Sequence, residues 1–190
     1  MTSFAAPNRN EQGKGNYVTP EEGMYEANVV DVEQVVNPFY DEGTDNPNKK
    51  YQLKWTIEED IDLLGDAGDG NRWSNRVTYF TGTQFGWHAK NKVTGFMRKI
   101  AKDDFVYDPE ANDGAGEMTS FADLDELKAF TVGRPLRIVT EHTVKKTDDG
   151  VRTYQKITGV MSSTRPRLGV AELMARTLGG EVTFEEDIPF

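Results

Sequence analysis

The chain has no cysteine and only two histidines. The first absence removes disulfides and thiolate chemistry and suits a cytosolic setting. Two histidines with no cysteine leave no plausible zinc set. His88 follows Trp87 and His142 stands between Glu141 and Thr143, positions that fit ordinary surface or structural residues. No apolar run approaches the length of a membrane span, and the N-terminus has no signal-peptide pattern. Phosphate-cradling glycine loops, Gly-x-Ser-x-Gly elbows and dinucleotide fingerprints are missing as well. Asp60-Ile61-Asp62 and Asp66-Ala67-Gly68-Asp69-Gly70 are acidic, but neither has the spacing of a calcium loop. No catalytic residue, metal or cofactor is therefore expected; a small nuclease using loop carboxylates and a metal is the weakest reading.

What is present is acid, unevenly spread. The 190 residues carry 22 Lys+Arg against 32 Asp+Glu, a net charge of −10. That sum disfavours a polyanionic partner, yet distribution matters more than the sum. Lys90, Lys92, Arg98, Lys99 and Lys102 fall in a stretch, 84–102, that has no acid, and Lys/Arg outnumber acids over 134–176. The acids gather in 41–71, in 103–130 and at the C-terminus. Such segregation permits a basic groove on an acidic protein.

Periodicity supplies the organisation. Residues 1–19 are polar and are expected to form a mobile arm. A first strand runs over 24–36, with Tyr25, Ala27 and Val29 in phase and then Val30 and Val32 out of it, the signature of a β-bulge. Over 50–58, Tyr51, Leu53, Trp55 and Ile57 alternate with Gln52, Lys54 and Thr56, the clearest strand in the chain. A third strand is predicted over 72–80, with Trp73, Val77 and Tyr79 on one face and Arg72, Arg76, Thr78 and Phe80 on the other. Helical spacing follows in Phe85, Ala89, Val93, Phe96, Met97 and Ile100, and a weaker helix over 121–130. Strands are predicted over 133–143 and 151–160, joined by a hairpin tip of Lys145 to Gly150. A last helix spans Val170 to Leu178 and ends at Gly179-Gly180. The order predicts a mainly β fold: a five-stranded OB-type barrel with a helical insertion between strands three and four and a short C-terminal helix. The expected division is an arm over 1–19, the barrel domain over 20–165, a short helix or linker over 166–180 and an acidic tail over 181–190.

The tail holds Glu181, Glu185, Glu186 and Asp187 without a base, then ends Ile188-Pro189-Phe190. It is a poor core element and a good peptide ligand: an apolar tip stiffened by proline and flanked by negative charge, suited to an apolar pocket ringed by cations. Glu185-Glu186-Asp187-Ile188-Pro189-Phe190 closely resembles the C-terminal tip of bacterial and phage single-stranded DNA-binding proteins. The long acidic loops, the polar arm and the near absence of a Gly/Gln/Pro-rich linker resemble a divergent phage-type member of that family. The resemblance implies an OB fold that coats single-stranded DNA during replication, recombination or repair. It also implies that Glu185, Glu186, Asp187, Ile188, Pro189 and Phe190 recruit partner proteins from those pathways. Self-association is compatible with it, no membrane is implied, and the expected location is the cytoplasm, that of the bacterial host if a phage encodes the chain.

Single strands are held by aromatic faces under bases and cations along phosphates. In an OB fold those groups come from strands two and three and from the last hairpin. The candidates are Lys54, Arg72, Trp73, Arg76 and Phe80, then Lys145, Lys146, Arg152, Tyr154 and Lys156. Trp55 shares a face with Leu53 and Ile57 and belongs to the core. Trp73 fits a base platform and packing under the preceding loop equally well. Lys145 and Lys146 also suit a solvated hairpin tip. The rival reading from another class is an OB-like adaptor or assembly module that never touches nucleic acid.

Overall fold

The computed structural model describes residues 17–68, 71–88, 90–147, 150–169 and 172–173. The expected arm up to residue 16, all but two residues of the helix over 170–178, and the whole of the tail 181–190 lie outside the described residues.

Five strands form one antiparallel sheet: β1 (Gly23–Val36), β2 (Tyr51–Glu59), β3 (Arg76–Gly82), β4 (Pro135–Thr147) and β5 (Gly150–Ser162). Their order across the sheet is β3-β2-β1-β4-β5, so β3 and β5 are its edges. The alternation in β2 becomes its two faces: Leu53, Trp55 and Ile57 are buried while Gln52, Lys54 and Thr56 are half-exposed. The change of phase in the first strand is a register shift between Val29 and Asp31, so that Val29 opposite Ile57 and Val32 opposite Trp55 both reach the core. The bulge bends β1, and both of its halves are used: 23–28 pair with β4 and 27–36 pair with β2.

Two helices cover this sheet. Helix α1 (Lys92–Ile100) lies in the chain between β3 and β4 and buries Val93, Phe96, Met97 and Ile100. The Phe96 ring sits 4.7 Å from that of Trp55. Burying side chains of this size stabilises a fold by roughly 1.5–3 kcal/mol each, so α1 is a substantial part of the core. Helix α2 (Leu124–Thr131) starts at Asp123, whose carboxylate accepts from the Glu126 amide at 2.9 Å.

Three sequence expectations are corrected. Helix α1 does not begin near Phe85: Asn91 caps it, accepting from the Thr94 amide, while its own amide group donates to the Gln84 carbonyl. Phe85 turns instead toward Phe105 and Phe121. The third strand is not continuous over 72–80. Arg72–Trp73 pairs in parallel with Tyr17–Val18, which ties the end of the expected arm into the structure, and Ser74 donates to the Val18 carbonyl. Asn75 exchanges two hydrogen bonds with the Glu59 backbone before β3 starts at Arg76. Lastly, Lys145 and Lys146 are not in a hairpin tip. They are ladder residues of β4, opposite Arg152 and Val151, and Thr147 still pairs with Gly150. No helix among the described residues is long and apolar enough to cross a membrane.

Candidate nucleic-acid interface

A cleft of about 510 Å³ opens between the two edge strands. From β3 it takes Arg76, Thr78 and Phe80, and from the β4–β5 hairpin Thr143, Lys145, Tyr154, Gln155 and Lys156. Five of the ten residues singled out from sequence therefore meet here: Arg76, Phe80, Lys145, Tyr154 and Lys156. Strand alternation explains it. Arg76, Thr78 and Phe80 point away from the buried Val77 and Thr81, and Thr143 stands opposite Tyr154 in a ladder whose core side is Thr140 and Ile157. The Phe80 and Tyr154 rings are 40% and 42% exposed, which is unusual for groups of their apolar area and leaves their faces open to solvent.

Among the described residues, three cations line this cleft and no carboxylate does. Two of the cations are partly balanced from outside it. Arg76 donates through Nε to Glu58 at 2.7 Å, and Lys156 stands opposite Glu141 in the ladder. The Lys145 ammonium lies 5.8 Å from the centre of the Tyr154 ring. Together these groups suit an extended polyanion that also carries flat rings.

Of the other candidates, Lys54, Arg72, Trp73 and Lys146 do not line the cleft, and Arg152 is placed by backbone register alone. Lys54 is opposite Phe80 in the ladder but is bound to Glu33 at 2.9 Å on the outer face of the sheet. Trp73 packs on the preceding loop, its indole N–H donating to the Gly65 carbonyl at 2.9 Å. Arg72 is exposed beside it, opposite Tyr17. Lys146 is exposed one residue beyond the cleft, and Arg152 is placed by register opposite Lys145. The residues expected to bind partners, Glu185 to Phe190, lie outside the described residues. His142 is structural, with Nε2 2.8 Å from the Pro20 carbonyl, and His88 accepts from the Lys90 amide through Nδ1. Among the described residues no cluster of His, Asp and Glu has the arrangement of a metal site.

The sequence reading missed Glu59. It continues the odd-numbered series Leu53, Trp55 and Ile57 onto the core face, which was the available signal, and it is 1% exposed. Gln155, on the cleft, donates to its Oε1 at 2.9 Å, while Oε2 has no hydrogen-bond partner among the described residues. Burial pushes its carboxyl up to about 7, against the smaller opposing effect of the Gln155 hydrogen bond. Asp60 also departs from a solvated loop acid: it is buried and ion-paired with Arg165. Comparison with protein-family models, with curated proteins and with solved structures found no match to this chain.

Proposed function

We propose that the chain binds single-stranded DNA without catalysis, and that it does so through the cleft between β3 and β5. The observation that carries this reading is the cleft's lining: Arg76, Lys145 and Lys156 beside the open rings of Phe80 and Tyr154, with no carboxylate among the described residues that line it, on a chain of net charge −10. On a strongly acidic protein an acid-free lining of this kind has a chemical purpose that solvation of the surface does not supply. Cations neutralise phosphates and release their counterions, and each stacked base contributes about 1–3 kcal/mol.

The finer architecture belongs to the same proposal. The five-stranded sheet is read as an OB-type barrel, with α1 as the element between its third and fourth strands and the β4–β5 hairpin as one wall of the groove. What supports closure is the Glu59–Gln155 bond, which joins β2 to β5 although three places separate them across the sheet. In this reading the protein coats exposed strands in replication, recombination or repair. The Glu185-Glu186-Asp187-Ile188-Pro189-Phe190 tip recruits the proteins that act on them.

The test is fluorescence anisotropy of a labelled oligo-dT, beside the matching duplex, at low and moderate salt. Saturable single-strand binding that weakens with salt, with weak duplex binding, is the expected result. No binding at low salt overturns the reading and leaves an adaptor that works through its tail. A label on the DNA is the better reporter, because Trp55 is buried and Trp73 is held by the Gly65 loop.

A further inference from the structure

Phe80 is shared by two clefts. Past it, along the end of β3, lies a second one of about 490 Å³, bordered by the loop between β1 and β2 and by the start of α1. Its chemistry differs from that of the first. Beside two cations, Lys49 and Lys92, it has five side-chain amides, and the Tyr51 ring is open beside them.

Those amides divide into two kinds. Asn37 and Asn46 build the loop: Asn37 donates to the Lys49 carbonyl and accepts from the Phe39 amide, and Asn46 accepts from the Asn48 amide. The side-chain amides of Asn48, Gln52 and Gln84 have no hydrogen-bond partner among the described residues. The first pair thus holds the wall in place, and the other three face the cleft with donors and acceptors to offer. Gln52 stands opposite Gly82 in the ladder, and a Cβ at Gly82 would meet nothing within 4 Å, so the space beside Gln52 is open. Lys92 adds a cation at the helix end, its ammonium 4.4 Å from the centre of the Tyr79 ring.

A phosphate site would concentrate free cations or backbone N–H groups; of the two cations here Lys49 is ion-paired with Asp45 at 3.6 Å and Lys92 lies over the Tyr79 ring, while the carboxamides and the aromatic face suit a nucleobase. A carboxamide carries an N–H and a C=O side by side, the complement of the adenine edge with its N6 amino group and N7. We propose that the second cleft reads one base of a strand whose backbone lies in the first, with Gln52 and Asn48 as the reading groups and adenine as the favoured base. This rests on the single-strand reading above and refines it: binding is tolerant along the strand and selective at one position.

The experiment compares the full chain's affinity for a short oligo-dT with that for the same strand carrying one central adenine. The adenine strand is expected to bind about tenfold more tightly, in line with one good amide–base pair. Replacing that adenine by its deaza analogue lacking N7 should remove the gain without any change to the protein. Gln52→Leu combined with Asn48→Ala should remove it too, while leaving oligo-dT affinity within about twofold. Equal binding of the oligo-dT and adenine strands overturns the base-reading cleft and leaves the single-strand reading standing. A gain that survives both the deaza analogue and the double variant overturns it as well. Failure to bind either strand overturns both.

Discussion

Gln155 on β5 hydrogen-bonds Glu59 on β2, a bond of 2.9 Å between strands that are not neighbours in the sheet. The sheet has to curl for the two to meet. The same bond places a buried carboxyl directly behind the lining of the cleft, with Oε2 unpartnered among the described residues.

Stability should therefore fall with rising pH. The Glu59 carboxyl lies at about 7 in the folded chain against 4.5 as its ordinary value. Between those values the folded state holds more protons than the unfolded one, so the protonated carboxyl's contribution is complete below about 4.5 and lost as pH rises toward 7. Glu59→Gln keeps the shape and an acceptor for Gln155 without the charge. It should be more stable than the parent at pH 8 by on the order of 2 kcal/mol, and nearly equal to it at pH 4.5. Urea denaturation at the two pH values checks this; an equal deficit or gain at both removes Glu59 as the cause.

Within the cleft, the rings should matter more than the paired cations. Tyr154→Ala and Phe80→Ala are each expected to weaken oligo-dT binding by roughly tenfold, the low to middle part of the stacking range. Lys145→Ala should also reduce the salt dependence by about one ion, the amount expected for an ammonium that neutralises one phosphate. Lys54→Ala should change affinity little, since Glu33 already holds its ammonium at 2.9 Å. Anisotropy titrations over a range of salt distinguish the three cases.

Gly133 is a glycine that the fold depends on. Its φ is +82°, and a Cβ there would meet the Leu168 carbonyl oxygen at 2.5 Å. Its amide donates to the Val29 carbonyl beside the β1 bulge, and its carbonyl accepts from the Leu168 amide. Gly133→Ala combines left-handed strain with a backbone clash and should destabilise the protein by roughly 2–3 kcal/mol. A thermal midpoint within a degree of the parent would contradict this.

Removal of residues 181–190 tests the tail. If its acids compete with DNA for the cleft, the shortened chain should bind oligo-dT several-fold more tightly at low salt, with the difference shrinking as salt rises. Recruitment of replication or repair proteins from a host extract should be lost in the same variant. Unchanged affinity at low salt would dismiss the competition while leaving recruitment to be judged by the second measurement.

Part of this could be read directly from residue order. Leu53, Trp55 and Ile57 face inward because a strand turns its side chains over every second residue, and the break in phase at Val29/Val30 marked the bulge for the same local reason. Phe80 and Tyr154 were legible as open rings because each lies opposite its strand's apolar face. Other elements depended on distant partners. The break at Ser74-Asn75 is made by bonds to Val18 and Glu59, and the start of α1 by the bonds of Asn91 to Gln84 and Thr94, so a run of alternating or periodic residues gave the wrong bounds.

Most strands, their faces and a short list of cations and aromatics were legible from residue order, because these follow from periodicities of a few residues. Which of them come together depends on the folded sheet. Arg76, Phe80, Lys145, Tyr154 and Lys156 share a cleft because the edge strands come face to face, whereas Lys54 is tied to Glu33 by a register set between β1 and β2. Glu59 is the sharpest instance: its place in the alternation was visible, but its shifted carboxyl comes from the curled sheet that buries it. Desolvation depends on everything packed around a group, and no stretch of chain carries that information alone.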